Sequence, residues 1–165
     1  MEAEMLSEAQ QKRVWEGMLG AEIRANYFAD LSGRLQGRQR AAVWAGLVLS
    51  LSAVVSVAAS LPAPYSWIRL VLTVATAGII AYSVVLQNQK FAVDASDLHA
   101  RWNRLSNDYE RLWDDVYAND GEARLSMLED HKAELSKAGS GFKYDQGRIL
   151  KWETHVVAHR LPHAA

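Results

Sequence analysis

The sequence predicts an all-α membrane protein. The expected architecture is a two-helix transmembrane hairpin, with an N-terminal amphipathic helix before it and a C-terminal cytoplasmic helical bundle after it. Three observations carry this expectation. Two long uncharged runs lie in the middle of the chain, a Pro-x-Pro turn separates them, and a regular three-and-four spacing of apolar residues follows them. The implied layout is a cytoplasmic helix over 1–40, the hairpin over 41–89 with spans at about 41–61 and 66–88, and a cytoplasmic helical region over 90–165.

Composition narrows the classes further. The chain has 165 residues, half of them hydrophobic, with 18 basic and 19 acidic residues. A net charge of -1 gives no reason to expect a nucleic-acid partner. There is no cysteine, so neither a disulfide, a catalytic thiol nor a zinc-thiolate site is available.

The N-terminal arm reads as an amphipathic helix from about Ser7 to Gln36. Its expected apolar face is Trp15, Leu19, Ile23, Phe28, Leu31 and Leu35. Gly17, Gly20 and Gly33 each weaken it by up to ~1 kcal/mol, and Gly33 and Gly37 suggest a bend. Ala41 to Leu61 then runs for 21 residues without a charge. At the helical rise this spans roughly 31 Å, close to the ~30 Å hydrocarbon core. Leu70 to Leu86 is a second uncharged run, which can start at Tyr65 and end at Gln89 if Arg69 snorkels to the interface. Pro62 and Pro64 stop the first helix, and Tyr65 and Trp67 follow where an aromatic belt would sit. Arg34, Arg38 and Arg40 precede the first run and Lys90 follows the second, which places both termini in the cytoplasm.

After the second run, Phe91, Ala95, Leu98, Trp102, Leu105, Tyr109, Leu112 and Val116 keep alternating spacings of four and three. This is a heptad seam. Leu98, Trp102, Leu105, Tyr109 and Leu112 are its centre and the candidate assembly surface, either against the N-terminal arm or between subunits. No Gly or Pro interrupts Gln87 to Ala118, so one long helix is expected there. Asn119-Asp120-Gly121 ends it, and shorter helices follow over about Glu122 to Lys137 and Asp145 to His159, joined by Ala138-Gly139-Ser140-Gly141.

Candidate functional residues are few. Ser52, Ser56 and Ser60 form a small hydroxyl row at i, i+4 spacing, suited to close helix packing or to lining a pore in an oligomer. Arg101, Arg104, Lys143, Arg148 and Lys151 mix with Trp102, Tyr144 and Trp152 as candidate ligand contacts. His155 and His159 are spaced as a metal pair, but no metal signature completes them. No phosphate loop, nucleophile elbow or triad pattern is present, so neither an enzyme nor a cofactor or metal site is expected.

The layout resembles the SLATT family, the two-transmembrane effectors associated with SMODS nucleotidyltransferases and SLOG domains in bacterial conflict systems. The likeness rests on Glu22-Ile23-Arg24-Ala25-Asn26-Tyr27-Phe28, on the apolar stretch from Ala41 to Leu86, and on Leu98, Trp102, Leu105 and Tyr109. It implies a membrane effector of antiphage defence that oligomerises to form a pore or disrupt the inner membrane. The trigger would be a defence-system partner protein or a nucleotide second messenger. It carries no catalytic residues. The alternatives are a non-enzymatic anchor or scaffold for a soluble partner, and a small constitutive channel.

Overall fold

The computed structural model describes residues 6–58, 71, 74, 75, 78, 88–117 and 120–160, with the side chains of 49–58 and 88 left aside. Four helices account for them: α1 Glu8–Ala58, α2 Asn88–Asp114, α3 Gly121–Gly139 and α4 Gln146–Arg160.

Each helix start has a local cause. Ser7 and Gln10 form a reciprocal cap: Gln10 N–H donates to Ser7 Oγ at 3.3 Å, and Ser7 N–H donates to Gln10 Oε1 at 2.8 Å. Asp145 caps α4, its Oδ1 accepting from Arg148 N–H at 3.3 Å. Asp120 precedes α3 without a side-chain cap bond. The joint after α3 is shorter than the sequence suggests, because α3 runs on to Gly139. α1 continues through Gly33 and Gly37 without interruption.

The chain divides into two compact units, one of Met1–Asp30 with Asp94–Ala165, the other of Leu31–Val93. The first unit is a helical bundle. The heptad seam of α2 is its centre: Ala95, Leu98, Trp102, Leu105, Tyr109 and Leu112 are all buried. Its partner in the same chain is α1. Ser106 Oγ donates to the Met18 carbonyl, His99 Nδ1 meets the Ala25 carbonyl, and Trp15 packs on Trp113 at 5.4 Å. Rising numbers in α1 meet falling numbers in α2, so the two are antiparallel. α3 runs the same way as α1: Gly121 lies on Leu6, Arg13 pairs with Glu129, and Gly139 lies on Phe28.

The buried row of α1 differs from the expected one. Val14, Met18, Ala21, Ala25 and Phe28 are buried, whereas Trp15, Leu19 and Ile23 are only half-buried. The cause is volume. The Tyr109 ring fills the space between the helices at Gly17, so that position of α1 must be small, while Met18 and Phe28 are accommodated elsewhere on the row. At Gly17 a β-carbon would come within 2.6 Å of the Tyr109 ring.

The transmembrane hairpin expected for 41–89 is corrected. Among the described residues, no helix is long and apolar enough to cross a membrane. The first expected span is not an element of its own; its residues as far as Ala58 are the end of α1, whose earlier turns carry Arg34, Arg38 and Arg40. Of the second, only 71, 74, 75, 78 and 88 are described, and the turn at Pro62 and Pro64 lies outside the described residues. What closes the fold instead is the mutual burial of amphipathic faces. α2 shows the pattern, alternating its buried seam with Asp97, Arg101, Arg104 and Arg111 on the outside.

In the second unit, Gln39 Nε2 donates to Gln89 Oε1 at 3.5 Å, and Ser32, Gly46 and Ala92 are buried. Val43, Trp44, Leu47 and Val48 share one face of α1 and are at least half exposed, Trp44 at 68%.

Candidate functional site

A cleft of about 510 Å³ opens within the bundle. Ile23 and Arg24 reach it from α1, Ser136 from α3, Tyr144 from the segment before α4, and Ile149 and Glu153 from α4. Tyr144 is stacked on Tyr27 at 5.7 Å, and Tyr27 in turn packs edge-on against Phe28. The Tyr27 hydroxyl ties down the segment before α4, donating to the Lys143 carbonyl at 3.4 Å and accepting from Asp145 N–H at 3.2 Å.

Arg24 is the cation of the cleft. Its guanidinium lies over the Trp102 ring, 5.0 Å from the centroid, and Nη1 donates to the Gly20 carbonyl at 3.2 Å. Burial pushes the Tyr144 phenol above its ordinary pKa, while the Arg24 charge pulls against that rise.

Arg160 joins three helices, α4, α1 and α2. Its Nε donates to Glu22 of α1 at 2.9 Å and its Nη1 to Glu110 of α2 at 2.6 Å. The hydrogen bond to Glu110 holds its guanidinium pKa up.

The basic residues picked out by the sequence do not form one site. Arg101 pairs with Asp97 and Glu134, and Arg148 with Asp145. Lys151 lies over Trp152, 5.3 Å from the centroid, and Arg104 and Lys143 are exposed. Leu98, Trp102, Leu105, Tyr109 and Leu112 are packed within the chain itself. Ser52 and Ser56 fall in α1 beyond its described side chains, and Ser60 lies outside the described residues. His155 packs edge-on against Trp152 at 5.6 Å. Among the described residues, no group of three or more His, Asp or Glu side chains is placed to hold a metal ion.

Arg24 is the residue that sequence reading missed. It was legible only within the Glu22–Phe28 stretch, without a role. Its signal lies in the pairing pattern, which needs coordinates.

Fold and site together define a helical bundle with a mixed polar and apolar cleft. No protein-family model, curated protein or solved structure matches the chain.

Proposed function

We propose that this chain is a non-enzymatic effector of bacterial antiphage defence. It acts on a lipid bilayer of the inner membrane as an oligomer, and the helical bundle is its controlling part, answering a defence partner. The observation that carries the reading is the apolar face of α1. Val43, Trp44, Leu47 and Val48 lie together on one face, each at least half exposed, directly after a stretch bearing Arg34, Arg38 and Arg40. A contiguous exposed apolar face of this kind marks a partner or a lipid surface. Basic residues beside it favour anionic headgroups, and tryptophan favours the headgroup boundary. The resemblance to the SLATT family agrees with this assignment.

The test is vesicle binding and dye release by the full chain on anionic vesicles. Partition and release are expected. Trp44→Asp with Leu47→Asp removes apolar transfer worth about 3 kcal/mol together, roughly a hundredfold in partitioning. Wild-type protein that stays off vesicles and instead forms a stoichiometric complex with a soluble partner overturns the reading in favour of an anchor or scaffold.

A further inference from the structure

We propose that the cleft between α1, α3 and the start of α4 binds a small anion with a flat apolar body, its phosphate or carboxylate on Arg24 and its ring against Tyr144 and Ile149. This goes beyond the bilayer reading and does not depend on it.

The pairing pattern of the arginines leads there. Four other half-buried arginines of the bundle, Arg101, Arg124, Arg148 and Arg160, each have a carboxylate at ion-pair distance. Arg24 is half-buried too, and among the described residues it has none. A guanidinium offers five N–H donors, and among the described residues one of them is taken, by the Gly20 carbonyl. A partly desolvated cation whose other donors lack a carboxylate favours an anion that presents two oxygens to its fork.

Its geometry is held in advance. The guanidinium rests on the fully buried Trp102 ring. Gly20 lets it lie back along its own helix, since a β-carbon there would come within 3.3 Å of Nη1. Side chains held before binding lose less entropy when the ligand arrives.

The remaining lining describes the body of the ligand. Ile23 and Ile149 give apolar walls, and Tyr144, backed by Tyr27, gives an aromatic one. Ser136 Oγ already donates to the Lys132 carbonyl at 2.8 Å, so its oxygen is an acceptor towards the cleft. Glu153 is a second acceptor and disfavours an anion beside it. An aromatic ring with an N–H edge and one anionic substituent meets all of these. The volume of about 510 Å³ suits a ligand of that size.

Equilibrium dialysis of the full chain against AMP, 2-naphthoate and adenosine tests this. Saturable binding of at least one of the two anions is expected. Binding of AMP alone selects phosphate, of 2-naphthoate alone carboxylate, and of both the shared chemistry. Adenosine should bind at least about tenfold more weakly than the better anion, and Arg24→Gln should weaken that anion by a similar factor. Ile149→Trp, which fills the cleft without touching the cation, should abolish binding. If Arg24→Gln fails to fold by circular dichroism, the adenosine comparison and Ile149→Trp decide alone. Adenosine binding as tightly as the anions overturns the proposal. So does binding unchanged in Ile149→Trp, or the absence of saturation by either anion at about 10 mM.

Discussion

Gly17 faces Tyr109 across the α1–α2 contact, and two effects compete there. Alanine is favoured over glycine in a helix interior by about 1 kcal/mol. Against this, its β-carbon would sit 2.6 Å from two ring carbons of a residue that is 1% exposed. Overpacking a closed site costs about 1–3 kcal/mol, so the steric term wins. Gly17→Ala is expected to destabilise the bundle by about 1–2 kcal/mol in denaturant melts. Gly33→Ala is expected to do the reverse by about 0.5–1 kcal/mol, because nothing lies within 4 Å of a β-carbon there. Equal effects at both positions would refute the contact. Tyr109 also sets an alkaline limit. Burial first, and the Glu129 charge second, raise its phenol from 10.0 to about 12. Below the unfolded value both states keep the proton. Between pH 10 and about 12 only the unfolded phenol ionises, so stability falls across that window. Tyr109→Phe should flatten this fall in thermal melts followed by circular dichroism. Parallel curves for the two proteins would assign the alkaline loss elsewhere.

α4 is held differently from the other helices. Val156 is its only fully buried side chain, so polar contacts carry much of its docking: Arg160 to Glu22 and Glu110, and Asp145 N–H to the Tyr27 hydroxyl. Arg160→Gln leaves two carboxylates facing a neutral group and should raise local opening. Amide exchange over Gln146–His159 is expected to speed up by about tenfold, with α2 little changed, as measured by hydrogen-exchange mass spectrometry. An unchanged exchange pattern would mean that Val156 and Trp152 alone dock the helix. The helices also differ in how well the sequence showed them. The seam of α2 was legible because its buried positions are large. That of α1 was not, because Ala21 and Ala25 are buried and the larger Trp15, Leu19 and Ile23 only partly so. Size ranks residues by how much burial can stabilise, whereas the facing helix decides how much room there is. The Arg24 cleft was out of reach of any spacing rule, because its lining joins α1 to α3 and α4, more than a hundred residues further along the chain.

For the molecule as a whole, hydropathy and periodicity lead to the right class of secondary structure and to the wrong architecture. An uncharged window reads composition and cannot tell whether its residues start a new helix or end an old one. Here the run from Ala41 as far as Ala58 ends α1. The bundle is where disruption should be global. Leu105 is fully buried in the α2 seam, and Leu105→Asp would bury an unpaired carboxylate at a cost of several kcal/mol. Domains of this size are stable by about 5–15 kcal/mol. The expected result is loss of the cooperative melt, or a midpoint lowered by well over ten degrees. A sharp transition at the wild-type temperature would show that the seam is not the core.

The meeting of a bare α-carbon at position 17 with a phenol ring at position 109 also constrains descent. Neither site drifts freely: growth at the first collides, and shrinkage at the second leaves a void. Lineages that depart from this pair are expected to exchange both together, alanine or serine at the first accompanied by leucine or methionine at the second, so that two codons more than ninety apart are inherited as one trait.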